Sequence, residues 1–220
     1  MKLKSVDISK TASASSIVFE ALRKAIIEGD LTEGEPLRQD EIARLFNTSR
    51  IPVREAISRL EEQGLVKTQR YKGAVVSGLS ATEAEEIFDF RALIEPEVIR
   101  RAVPQMSPET LEKARASWAA FSQSSDPMTW GDLNRDFHST LYQASGLQYH
   151  LDVIDNAMDR IDRYLRAQLV LSNGMERANE EHMEIWEACM NGNADLAAER
   201  TRRHITGARE SLIQNIHSLR

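Results

Sequence analysis

Only two short runs in this chain have the character of β-strands, Leu65–Gln69 and Ala74–Ser77, and they lie back to back around Arg70, Tyr71, Lys72 and Gly73. Apolar and β-branched residues on either side of a short turn read as a hairpin. Nothing beyond Leu79 reads as a strand. The rest of the fold must therefore be built from helices, with the hairpin resting on some of them.

Three short helices precede the hairpin. Val18, Leu22 and Ala25 recur at helical spacing, with Ile26 widening the stripe, over about Ser13 to Glu28, and Gly29 stands where a C-cap belongs. The Ser/Ala cluster at residues 12 to 16 reads as a frayed arm. Residues 29–36 read as a turn. A shorter helix from about Gln39 to Phe46 buries Ile42, Leu45 and Phe46. The third starts at Thr48 or Ser49, both good N-caps. It carries Pro52 in its first turn, where a missing N–H costs nothing, buries Val53, Ile57 and Leu60, and ends at Gly64. Three helices followed by a two-stranded wing make a winged helix-turn-helix, assigned to residues 1–78.

From Leu79 onward six helices are expected, an antiparallel bundle over residues 79–220. Ser80-Ala81-Thr82-Glu83 has the form of a capping box, and Ser107-Pro108-Glu109 opens another helix. The fold class is thus mostly α. Length and composition agree: 220 residues with 41% hydrophobic and 28% charged describe an ordinary globular chain. No apolar run approaches the ~20 residues that span a bilayer, so no membrane partner is expected. The one cysteine, Cys189, excludes an internal disulfide and suits a reducing cytoplasm.

The net charge of −6 is unevenly spread. Through Ser77 there are thirteen Lys and Arg against eleven Asp and Glu, and after it fifteen against twenty-three. A mildly basic first third on an acidic remainder suggests different partners for the two parts. Arg50 and Arg54 stand one turn apart on the solvent side of the third helix, with Ser49 at its start. In a helix-turn-helix that end enters the major groove, where an arginine fork can bond guanine O6 and N7 together. Arg70 and Lys72 flank the wing tip beside Gly73, placed to meet phosphates or the minor groove, and Arg38 is a further phosphate contact. Taken singly, the same arginines read equally well as a solvated helix face.

Three strings carry a resemblance: Leu37-Arg38-Gln39-Asp40-Glu41-Ile42-Ala43, Ser49-Arg50-Ile51-Pro52-Val53-Arg54-Glu55-Ala56-Ile57 and Leu60-Glu61-Glu62-Gln63-Gly64-Leu65-Val66. They resemble the GntR family of bacterial transcription regulators. The resemblance implies DNA contacts at Ser49, Arg50, Arg54 and the wing around Gly73. Some members add a basic residue early in the second helix, where this chain has Gln39 and Asp40.

All five histidines fall in the acidic part: His138, His150, His182, His204 and His217. Asn134 and His138 are one turn apart and share a helix face. His182 and His204 lie on other helices, and periodicity alone does not bring them together. A helical histidine is as readily a satisfied core or surface residue, and His150 and His217 read as surface. Phe90-Arg91 with Glu95-Pro96, then Phe137-His138, Glu181-His182 and His204, resemble the FCD ligand-binding domain of the FadR branch. Six helices rather than seven match its smaller VanR-like subgroup. That resemblance implies a divalent metal ion, zinc or alternatively nickel, on Asn134, His138, His182 and His204. Asn134 supplies a neutral carbonyl where many relatives have a carboxylate. Four neutral ligands would leave the ion its full charge, open to a small carboxylate effector whose second oxygen Arg91 would clamp.

The remaining features read blandly. Trp118, Trp130 and Trp186 suit core or interface anchors. Asp152, Asp155, Asp159 and Asp162, alternating with Arg160, Arg163 and Arg166, suit a solvated or dimer-facing surface. The resulting expectation is a non-enzymatic transcription regulator, a repressor acting as a homodimer on a palindromic operator in double-stranded DNA. A metal-dependent hydrolase built on the three histidines is the alternative, against which stands the lack of an H-E-x-x-H string.

Overall fold

The computed structural model describes residues 13–124, 127–171 and 174–215. The chain divides after Gly78 into two compact units. The first contains α1 (Ala14–Glu28), α2 (Gln39–Leu45), α3 (Arg50–Glu62), β1 (Val66–Gln69) and β2 (Gly73–Val76). The second contains α4 (Ala81–Ala102), a 3-10 turn (Val103–Gln105), α5 (Pro108–Gln123), α6 (Pro127–Gln143), α7 (Gln148–Leu171), α8 (Gly174–Met190) and α9 (Ala194–Asn215). Mostly helical architecture with a small two-stranded wing is therefore observed.

In the first unit Val18, Phe19, Leu22 and Ile26 of α1 meet Val53, Ile57 and Leu60 of α3 in one apolar cluster, closed by Val66 and Val76 of the wing. The expected frayed arm is instead the start of α1: Ser13 is its N-cap, its Oγ accepting from the Ser16 amide at 3.1 Å. Ala12, the first residue of that expected arm, lies outside the described residues. The strands pair antiparallel, Val66 opposite Val76 and Gln69 opposite Gly73. Tyr71 and Gly73 both turn the chain with positive φ, 68° and 74°. The segment expected as a plain turn does more than turn. Leu37 N donates to Ala74 O at 2.9 Å and Val76 N to Glu35 O at 3.0 Å, so residues 34–37 line the free edge of β2. Pro36 sits there without disturbing the ladder, as proline can on an edge.

In the second unit Phe88, Phe121, Phe137, Leu141, Ile161, Ile185 and Ile205 are wholly buried. Ser80 caps α4 through the Glu83 amide at 3.1 Å, while the Glu83 carboxylate meets Arg160 of α7. Two indoles tie α5 to α8 in opposite senses: Trp118 donates to Asn179 O at 3.2 Å and Trp186 to Leu111 O at 3.0 Å. Trp130 closes on Ser124 O at 3.0 Å. Pro96 lies inside α4, where its ring nitrogen cannot serve the carbonyl of Ala92. Arg202 of α9 donates to that carbonyl at 2.8 Å. The expected extension of α9 to His217 runs past the described residues, and His217 lies outside them. Among the described residues no helix is long and apolar enough to cross a membrane.

Two outcomes follow from this packing. Leu60→Ala empties a fully buried position in the smaller core and should lower its stability by about 2–5 kcal/mol, read by urea denaturation. Cys189 is buried, and burial pushes its thiol up to about 12. It should therefore resist a disulfide thiol reagent at pH 8 in the native protein and react fully once the chain is unfolded.

Candidate metal centre and nucleic-acid interface

His138 of α6, His182 of α8 and His204 of α9 converge in the interior of the second unit. Each offers a ring nitrogen, and these three atoms lie within 4.8 Å of one another. The ring centroids are 4.9 Å apart for His138 and His182, 5.1 Å for His138 and His204, and 4.8 Å for His182 and His204. Phe121 and Phe137 wall the cluster, their centroids 5.0 Å and 4.6 Å from that of His182. All three histidines are buried, His182 completely.

Neighbouring groups orient two of the rings. His204 Nδ1 lies 2.7 Å from Glu181 Oε2, so Nε2 is the atom that would serve as a ligand. His138 Nδ1 lies 3.4 Å from Tyr142 Oη. His138 Nε2 and both nitrogens of His182 are buried with no hydrogen-bond partner. Burial, and then the neighbouring imidazoles, hold the His138 and His182 ring pKa values well below the usual histidine range. The neutral rings of His138 and His182, with unpaired nitrogens gathered near a nitrogen of His204, suit a divalent ion such as zinc. Asn134 is half-buried, one turn before His138 on the same face of α6.

A cavity of about 160 Å³ adjoins His138, lined also by Arg91, Arg135, Ser139, Tyr142 and Gln143. That is below the usual 300–1,000 Å³ of small-molecule pockets, so it suits a compact ligand. Arg91 faces this cavity but is not the open clamp expected of it. Its Nε donates to Glu95 Oε1 at 2.6 Å and its Nη2 to Oε2 at 3.4 Å, within a pair 3% and 1% exposed. Glu95 Oε2 also accepts from Tyr142 Oη at 2.8 Å. The tyrosine stays a phenol, because burial and the Glu95 charge push its pKa well above the usual value.

The acidic string on α7 corrects a second expectation. Asp152 and Asp155 are exposed, but Asp159 and Asp162 are buried. Arg135 of α6 meets Asp159 at 2.9 Å and Asp162 at 3.8 Å, with Asp155 at 3.9 Å. A helix face that reads as solvated carries the partner of a cavity-lining arginine. The side chains of Arg163 and Arg166 lie outside those described. His150 is exposed, as expected.

In the first unit Arg38, Ser49, Arg50, Arg54, Arg70, Lys72 and Gly73 are all exposed. Ser49 is the N-cap residue of α3 but makes no side-chain capping bond, which leaves its hydroxyl to solvent. Arg50 meets Asp40 of α2, and Arg38 meets Glu41 at 3.0 Å. Exposed pairs of this kind are worth about 0–1 kcal/mol and exchange readily for other anions. The Arg70 guanidinium sits 5.0 Å from the Tyr71 ring centroid.

Comparison with known proteins accounts for both units. Residues 14–76 match the model described as bacterial regulatory proteins, gntR family, and residues 86–207 match the FCD domain. The chain belongs to the GntR family. It is 25% identical over 210 residues to the HTH-type transcriptional repressor RspR of Escherichia coli K12, covering 94% of this chain and 92% of that protein. It is 38% identical over 96 residues to the gluconate operon transcriptional repressor of Bacillus subtilis, covering 44% of this chain and 39% of the repressor. The solved structure of E. coli McbR/YncC matches with a TM-score of 0.78 at 20% identity, covering 95% and 98% of the two chains, which bears on fold alone. A GntR-family regulator of Pseudomonas syringae pv. tomato DC3000 is 28% identical, with a TM-score of 0.56 over 93% and 86%. This GntR protein is a DNA-binding transcription regulator rather than an enzyme, and the hydrolase reading has no support among its relatives. Some FCD domains bind metal ions, and the three histidines here stand close together.

Sequence reasoning assigns no role to Glu181, Glu95, Tyr142 or Arg135. The spacing of Tyr142 from His138, four residues, is a usable signal. The link from Glu181 to His204 crosses between helices and leaves none. Arg135 can be checked directly: Arg135→Met removes a cation from the buried Asp159 and Asp162 and should lower the stability of the protein in chemical denaturation.

Proposed function

We propose that this regulator is a repressor that binds a palindromic operator in double-stranded DNA as a homodimer, and that a small carboxylate held in its bundle controls that binding. The reading rests on one observation: three buried imidazoles converge, two of them with unpaired nitrogens, and one, His138, lines a compact cavity shared with Arg91 and Arg135. Asn134, His138, His182 and His204 would hold a divalent ion, zinc or nickel. Such an ion supplies a Lewis-acidic position for one carboxylate oxygen. Glu181 orients His204, and Arg91 and Arg135 offer positive charge to the rest of the anion. The site of action would be the cytoplasm.

On the DNA side, Ser49, Arg50 and Arg54 would read the major groove from the first turns of α3. Arg70, Lys72 and Gly73 would meet the backbone from the wing, and Arg38 would take a phosphate. Two copies on a palindrome would place their recognition helices about one helical turn apart.

Operator titration tests this reading. Fluorescence anisotropy on a selected operator fragment should show affinity shifted by a small hydroxy or sugar acid in zinc-loaded protein and unshifted after chelation. Equal affinities under all four conditions would overturn it. His182→Ala should abolish stoichiometric zinc binding in metal analysis. Arg54→Ala should lose about 1–3 kcal/mol and relax base preference, whereas Lys72→Ala should weaken all sequences alike and flatten the salt dependence.

A further inference from the structure

The proton on one histidine of the cluster can be placed by following the hydrogen bonds outward. Glu95 accepts two bonds from Arg91, so it is ionised and can only accept from Tyr142. A hydroxyl has one proton, and that of Tyr142 goes to the nearer, charged acceptor at 2.8 Å. Its oxygen can then only accept from His138 Nδ1, 3.4 Å away. That bond is made only when His138 carries its hydrogen on Nδ1, which leaves the lone pair on Nε2, the buried atom with no partner.

We propose that Tyr142 and Glu95 are positioning residues that hold His138 in the Nδ1–H tautomer, and that Arg91 makes this hold responsive to an anion in the adjoining cavity. The inference rests on the metal reading above for its consequence but not for its premise. Arg91 is shared between two surroundings. Arg91 lines the cavity while its Nε and Nη2 are bound to Glu95. An anion that draws Arg91 toward the cavity competes with Glu95 for it. Glu95, holding less of Arg91, then binds the Tyr142 hydroxyl more tightly, and the His138 contact changes with it. The chain of contacts runs from α4 at Arg91 and Glu95 to α6 at Tyr142 and His138, so occupancy of the cavity and ligation at His138 are linked through these contacts. By linkage the effect is reciprocal: metal binding must alter anion affinity by the same factor.

Nitrogen-15 NMR of imidazole-labelled full-length protein, freed of metal by chelation, tests the premise. His138 should show the Nδ1–H pattern, with Nε2 as the unprotonated nitrogen, and Tyr142→Phe should abolish this preference while the melting temperature stays close to the parent. Zinc titration tests the consequence: Tyr142→Phe and Glu95→Gln should each weaken zinc binding by about 10–100-fold, the usual effect of removing a group that orients a metal-bound histidine. An Nε2–H tautomer in the parent protein overturns the proposal, as does unaltered zinc affinity in a folded Tyr142→Phe. If the parent protein binds no zinc, the metal reading fails, and the tautomer measurement still decides whether the hydrogen-bond chain sets His138.

Discussion

The second unit is organised around a cost. An imidazole nitrogen removed from water without a partner loses a hydrogen bond, a penalty of about 1–3 kcal/mol for each group. Three such nitrogens are gathered here among Phe121, Phe137 and the aliphatic side chains of α8 and α9. Protonation offers no relief, because a charged ring in the same place would be worse off still. A ligand that accepts a lone pair from each of several rings at once removes the part of the cost that falls on the unprotonated nitrogens. The packing of α6, α8 and α9 is arranged so that no side chain does.

Several charged groups around the cluster are, by contrast, paired. Glu181 meets His204, Glu95 meets both Arg91 and Tyr142, and Asp159 meets Arg135. Even the backbone defect made by Pro96 is repaired, since Arg202 serves the carbonyl that the proline strands. The same unit leaves Arg135 Nη2, Asn179 Oδ1 and Thr201 Oγ1 buried without a hydrogen-bond partner, but among the described residues only the histidine cluster gathers several such atoms on adjoining rings. That contrast, more than the proximity of the histidines, singles out the cluster.

Much of this is legible in the sequence because helical periodicity reports what shares a face within one helix. Asn134 and His138, and the apolar stripes of α1 and α3, can be read that way. The hairpin is readable from two β-branched runs around a turn. Periodicity says nothing about which helices meet. In the sequence His138, His182 and His204 are brought together only by family resemblance, and Glu181 bonding a residue 23 positions away has no local sign. The acidic residues of α7 mislead for a related reason. Aspartate is exposed so often that a run of four suggests solvent, and the arginine that buries two of them lies on another helix. Gly34 and Pro36 likewise signal a turn and hide an edge pairing with β2, a strand that comes much later in the chain.

The state of the arginines bears on what kind of sensor such a domain can be. A lone buried guanidinium would be a strong anion receptor but an intolerable charge when empty. Here each cavity arginine is already answered by carboxylates, so an incoming anion meets a competitor rather than an unmet charge. Binding then proceeds by exchange, and its net free energy is a small difference between two similar pairings. Such a site sacrifices affinity, but the displaced carboxylate is left to find new partners. That redistribution is what lets a ligand favour one arrangement of helices over another, since a ligand shifts an equilibrium only by its differential affinity for the two states. Glu95 is the carboxylate best placed for this role, because its second partner, Tyr142, reaches a histidine of the buried cluster.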